Sequence, residues 1–117
     1  MNNIAFGRSG ERAAKKYLLS NGAKVLCENY RCPMGELDLI VEMDGAIVFV
    51  EVKARNTRRH GRPALAVDGK KQSHIARSAM WYLKKEKIRD CHIRFDVIEV
   101  LEDEICHLKG AFYPNTR

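Results

Sequence analysis

The side chains best suited to chemistry in this sequence are two carboxylates and a lysine, Asp38, Glu51 and Lys53, lying on either side of Asp44-Gly45. An Asp-Gly pair between two alternating apolar runs is a strong hairpin signal, because both residues accept the positive φ of a type I′ turn. A two-residue loop there places Met43 opposite Ala46. The register then pairs Leu39 with Val50, Asp38 with Glu51, Leu37 with Val52 and Glu36 with Lys53. On that reading Glu36, Asp38, Glu51 and Lys53 all point to one face.

Opposed carboxylates with Cβ atoms about 5 Å apart repel by roughly 3 kcal/mol at an effective dielectric of 20. A hard divalent cation reverses the sign, since Mg²⁺ or Mn²⁺ is held by one or two carboxylates and keeps its other positions for water and phosphate. Lys53, on the same face, can orient an attacking water, move a proton or stabilise charge on phosphorus. The alternative is a charged strand end in which Glu36 and Lys53 form a salt bridge.

The elements that must position these groups fit one domain spanning residues 1–117. The chain has 117 residues, 45% of them hydrophobic and 31% charged, enough for a core without disulfide or metal staples. Lysine and arginine number 21 against 15 acids, a net charge of +6, which favours a polyanionic partner. No apolar run is long enough to span a membrane. Arg8, Glu11 and Arg12 stand where a secretory leader would be apolar, so a cytoplasmic location with reduced thiols is expected. Cys27, Cys32, Cys91 and Cys106 lack C-x-x-C spacing. In Cys91-His92 and Cys106-His107 the neighbours point to opposite strand faces, so they read as small buried thiols beside surface histidines, not as zinc ligands.

Residues 4–21 carry Phe6, Ala13, Ala14, Tyr17 and Leu18 at helical spacing, with Gly22 as a stop. Glu11 falls at the edge of that apolar face. Strands are expected over residues 24–30, 36–43 and 46–55, then a polar loop over 56–63 with Arg58, Arg59, His60 and Arg62. A second helix over 68–87 follows, capped by Asp68, with Ile75, Ala76, Ala79, Met80, Tyr82 and Leu83 as its apolar face. Lys70 and Lys71 sit in its first turn, where the helix dipole disfavours cations unless an anion is nearby. Gln72 projects with the apolar face and needs a polar partner, while Lys70, His74, Arg77, Trp81, Lys84 and Lys85 share the opposite face. Strands over 93–101 and 105–108 complete the order.

Glu36-Leu37-Asp38 followed by Glu51-Val52-Lys53 resembles the PD-(D/E)XK nuclease signature, with Leu37 where that pattern has proline. Nearly the whole chain resembles the YraN family of bacterial proteins, small predicted endonucleases similar to archaeal Holliday junction resolvases. The stretches that carry this are Gly7-Arg8-Ser9-Gly10-Glu11, residues 35–40, residues 48–55 and Arg94-Phe95-Asp96-Val97. The resemblance implies an α/β, restriction-endonuclease-like αβββαβ core: a mixed central sheet flanked by two helices. It also implies Asp38 and Glu51 as metal ligands, Lys53 as the catalytic lysine and Glu11 as an acid contributed by the first helix.

The expected function is metal-dependent hydrolysis of phosphodiester bonds in branched or structured DNA. Arg55, Arg58, Arg59, Lys70, Lys71 and Gln72 are the candidates to hold nucleic acid. A resolvase-like cut would favour a homodimer. The alternative from another class is a noncatalytic DNA-binding or complex-assembly module on the same fold.

Overall fold

The computed structural model describes residues 3–55, 67–102 and 104–113, with side chains from residue 9 onward. Arg58 and Arg59, and the rest of the loop expected over residues 56–63, lie outside the described residues. Helix α1 (Asn3–Ser20) is followed by β1 (Lys24–Cys32), β2 (Gly35–Met43) and β3 (Ala46–Arg55). Helix α2 (Gly69–Lys85), β4 (His92–Leu101) and β5 (Glu104–Leu108) complete the chain order. The five strands form one sheet in the order β1-β2-β3-β4-β5. Only β3 and β4 run parallel; the other neighbours are antiparallel. This is the expected mixed α/β sheet flanked by two helices, with β5 added at its edge.

Local chemistry explains the boundaries. The side chain of Asp68 accepts the backbone N–H of Lys71 at 2.8 Å, capping α2 as its sequence position predicts. At the end of α1, Gly22 adopts φ +88° and Ala23 N–H reaches back to Leu18 O at 3.0 Å, leaving the helix through a left-handed turn. Asp44 and Gly45 both have positive φ, 54° and 75°, and Met43 pairs with Ala46 as expected. Arg94 and Lys109 each reach Asp44 Oδ2 at 3.1 Å, pinning the turn to the far side of the sheet.

The sheet is buried on both sides. Ile40, Ile47, Phe49, Phe95 and Val97 pack under Ile75, Ala79, Tyr82 and Leu83 of α2. Leu39, Val41, Val48, Val50, Ile98 and Val100 pack under Ala14 and Leu18 of α1. The middle of the sheet therefore reads as continuous apolar runs, as expected where both faces are covered. Helix α1 lies hard against β3, for a Cβ on Gly10 would stand 2.7 Å from Ala54 Cβ. That close approach seats Glu11, the next residue, at the end of the sheet.

Three expectations are corrected. Met80 is exposed and not part of the α2 core, because the buried arc closes on Ser78, Ala79, Tyr82 and Leu83. Cys91 and Cys106 are exposed, while Cys27 and Cys32 are half-buried. His107 is the buried member of its pair: Nε2 lies 2.7 Å from Asp96 Oδ2 and Nδ1 lies 2.9 Å from the Tyr17 hydroxyl. Asp96 is fully buried and also accepts two bonds from Arg94 and one from Gly110 N–H. Those partners hold its carboxyl below the usual carboxylate range in spite of burial.

Candidate functional site

The site forms where two strands part. The β2/β3 ladder runs from Met43↔Ala46 to Leu39↔Val50. One residue further on, the Val52 N–H donates to Asp38 Oδ2 at 2.7 Å, so a side chain takes over from the backbone ladder. Beyond that point Leu37 and Glu36 stay paired with Tyr30 and Arg31 of β1. Glu51, Val52 and Lys53 stay paired with Val97, Ile98 and Glu99 of β4. The alternation of β2 breaks at Asp38, for Leu37 joins Ile40 in the α2-side core while Leu39 packs toward α1. The expected pairs Asp38–Glu51, Leu37–Val52 and Glu36–Lys53 are accordingly absent from the register, and Asp38 meets Glu51 in the cleft and not as its ladder partner. Glu36 lies instead 3.5 Å from Arg31, and Lys53 lies beside Glu99.

A cleft of about 970 Å³ opens at this split, and Glu11, Glu36, Asp38, Glu51, Lys70, Lys71 and His74 are among its lining residues. It gathers side chains from α1, β2, β3 and the first turns of α2. Burial first, then the charges of Glu51 and Glu11, push the Asp38 carboxyl up to about 7 against the opposing Val52 hydrogen bond and the charge of Lys71. Glu51 is only 8% exposed. Its Oε1 is 2.8 Å from Lys71 Nζ, and that contact raises the lysine's pKa. Lys53 is shifted down, first by burial and then by the nearby charges of Lys71 and Arg55, with Glu51 and Glu99 opposing. An ammonium so placed is easier to deprotonate than a surface lysine.

The structure thus brings Asp38, Glu51, Lys71 and Glu11 into one electrostatic neighbourhood, with Lys53 coupled to Glu51. It treats the other expected residues differently. Arg55 Nε is 2.9 Å from Glu99 Oε2, so the guanidinium is turned toward β4. Gln72 Nε2 donates to Val67 O at 2.9 Å and closes the approach to α2; it does not line the cleft. Lys70 is exposed at the rim.

Sequence reasoning missed one participant and placed another on its helix face without assigning it to the site. Glu99 is 6% exposed beside Lys53 and Arg55; a carboxylate inside the apolar run Val97-Ile98-Glu99-Val100-Leu101 was the signal available. His74, which helical spacing set on one face with Lys70, lines the cleft one turn after Lys70 and Lys71. Among the described residues no group of three or more His, Cys, Asp or Glu is gathered as a ready ligand set. The site is a carboxylate pair with Lys71 on Glu51 and Lys53 two residues further along β3, outside the lining of the cleft but within reach of the Glu51 charge.

A family model described as an uncharacterised protein family, UPF0102, matches residues 10–100, from the glycine that seats α1 through the last inner residues of β4. The chain belongs to the UPF0102 family. This is the family to which the sequence motifs pointed. A UPF0102 protein of Clostridioides difficile (strain 630) is 46% identical over 114 residues, covering 96% of this chain and 100% of that protein. A UPF0102 protein of Desulfosudis oleivorans is 44% identical, covering 94% and 91%; one of Persephonella marina is 39% identical, covering 91% of each. Among solved structures, the chain is similar to Pyrococcus furiosus SfsA in complex with Ca²⁺, at 18% identity and a TM-score of 0.38. That match covers 92% of this chain and spans 64% of SfsA. Among the described residues of this UPF0102 member, no helix is long and apolar enough to cross a membrane.

Proposed function

We propose that this protein is a metal-dependent endonuclease that hydrolyses phosphodiester bonds in branched or structured DNA, with Mg²⁺ or Mn²⁺ held by Asp38 and Glu51. The observation that carries the reading is the split between β2 and β3, which leaves the half-buried Asp38 and the buried Glu51 repelling each other in one cleft, with Lys53 feeling the charge of Glu51. The donor set fits the ion. Hard carboxylate oxygens suit Mg²⁺, which needs only one or two of them and keeps several waters. Glu11, whose charge is felt at Asp38, would act on that shell from α1.

When bound, the cation would acidify water and neutralise charge building on the phosphate. Asp38 and Glu51 would hold it, and the Val52 N–H would keep Asp38 oriented. Lys53 Nζ would orient the attacking water and move its proton, a role supported by its lowered pKa. The nucleic acid would lie across the rim of the cleft and the exposed face of α2. Lys70, Lys71, His74, Arg77 and Trp81 there offer cations for phosphates and one ring for a base. A resolvase-like double cut in the cytoplasm would use two copies of the chain.

A noncatalytic DNA-binding module is the second reading, favoured by the Lys71–Glu51 ion pair, which neutralises one carboxylate without any metal. The experiment that separates the two is an assay of forked, four-way and linear DNA with Mn²⁺. Wild type should nick at least one structured substrate and an Asp38→Asn preparation none. Salt-sensitive binding without cleavage would support the module.

A further inference from the structure

The contact that the catalytic reading leaves over is the one between Lys71 and Glu51. Its two ends differ in freedom: the Glu51 side chain is 9% exposed, whereas that of Lys71 is 53% exposed. The Lys71 backbone is fixed, because its N–H is held by the Asp68 side chain at 2.8 Å. Four rotatable bonds then let the ammonium swing from a rigid pivot at the mouth of the cleft. The cleft itself is rich in acids, with Glu11, Glu36, Asp38 and Glu51 on its walls. A phosphate entering it meets repulsion unless cations meet it, and a divalent cation approaching Glu51 meets an ammonium already 2.8 Å from Oε1.

We propose that Lys71 is a latch whose ammonium exchanges between Glu51 and a substrate phosphate, so that DNA and the divalent cation bind the cleft cooperatively. The inference rests on the metal-site reading above and concerns the regulation of that same site. With the ammonium on Glu51, the carboxylate is a poorer ligand. A phosphodiester at the rim offers the ammonium another anion, and its departure releases the carboxylate at the moment the cation can also face the phosphate. Reciprocity follows from linkage: whatever factor DNA adds to metal affinity, the metal adds to DNA affinity. A nuclease built this way stays weakly loaded until its substrate arrives.

The test is Mn²⁺ binding measured by calorimetry, without turnover, on wild type, Lys71→Met, Lys71→Arg, Lys70→Met and Asp38→Asn. Each is titrated with and without a phosphorothioate duplex that resists hydrolysis. Free Lys71→Met should bind Mn²⁺ about tenfold more tightly than wild type. The duplex should tighten Mn²⁺ binding severalfold in wild type and by a clearly smaller factor in Lys71→Met, where only direct attraction between cation and phosphate remains. Lys71→Arg, which can still reach Glu51, should behave like wild type. Lys70→Met removes the same charge from the exposed neighbouring position and should change Mn²⁺ affinity far less than Lys71→Met, separating a specific contact from general electrostatics. Circular dichroism verifies that each variant is folded. Equal Mn²⁺ affinity in wild type and Lys71→Met, with binding still lost in Asp38→Asn, would overturn the latch and leave the metal site standing. No Mn²⁺ binding by any form would overturn both.

Discussion

At the scale of single residues, Asp38 and Glu51 line one cleft where β2 and β3 part, Asp38 accepting the Val52 N–H and Glu51 meeting the Lys71 ammonium. The sequence placed both acids beside the hairpin and offered Glu99 as a carboxylate within an apolar run, but the partners of Glu99 and the burial of His107 were not legible in it. Their burial depends on which strand lies beside them, and adjacency in sequence says nothing of Arg55, Asp96 or Tyr17 as partners. Asp38 carries a prediction of its own. Its folded pKa of about 7 lies above the ordinary 3.8, so the folded state holds a proton that the unfolded chain releases earlier. Stability therefore falls as pH rises from about 4 to 7, and the full penalty applies above 7. Removing the charge should relieve it, and an Asn side-chain oxygen can still accept the Val52 N–H. Each pH unit separating the folded from the unfolded pKa is worth roughly 1.4 kcal/mol, reduced here by relaxation and coupling to Glu51. Asp38→Asn should accordingly be more stable than wild type by about 1–3 kcal/mol at pH 8.5. The gap should shrink toward zero by pH 4.5 in urea unfolding. A difference independent of pH would show that Asp38 is not strained by its surroundings.

At the scale of elements, the succession of strands and helices along the chain followed from periodicity, caps and turn residues. The register did so only near the turn. The hairpin rule holds from Met43 to Leu39, then the two strands answer to different neighbours, β1 and β4, and local sequence cannot announce which wins. That divergence is also what opens the cleft. Helix α1 is seated by one contact that can be tested. A Cβ at residue 10 would come within 2.7 Å of Ala54 Cβ, an atom fixed by the strand backbone. Alanine gains about 1 kcal/mol over glycine in a helix interior, but overpacking costs about 1–3 kcal/mol. Gly10→Ala should therefore be net destabilising by about 1 kcal/mol, and adding Ala54→Gly should recover much of that loss in a double-mutant cycle. Additive effects would place the tight contact elsewhere. The Asp96 network joins α1, β4 and β5 through Tyr17, His107 and Arg94. Asp96→Ala removes the acceptor of the Gly110 N–H and the partner of His107 Nε2 and leaves the half-buried Arg94 guanidinium with Asp44 alone, and thermal or urea unfolding should report a loss of about 3 kcal/mol.

At the scale of the whole molecule, the net charge of +6 pointed to a polyanion, and the structure narrows where it would sit. Arg55 is committed to Glu99, while Lys70 and Arg77 are exposed on α2. If each meets one phosphate, reversing both charges should make the log-log salt dependence of duplex binding shallower by roughly 2, from about 0.9 per contact. An unchanged slope would move the DNA surface off α2. The central claim is that the carboxylate pair and the lysine have separate duties in cleavage, and single-turnover cleavage of a four-way or forked DNA in Mn²⁺ tests it most directly, with Mn²⁺ affinity read on the same preparations. Wild type should cleave, Lys53→Met should bind Mn²⁺ and DNA yet cleave at least a hundredfold more slowly, and Asp38→Asn should fail to cleave because Mn²⁺ no longer binds tightly. Equal cleavage by all three preparations, or cleavage by none with DNA binding intact, would contradict the assignment of this cleft as a nuclease site.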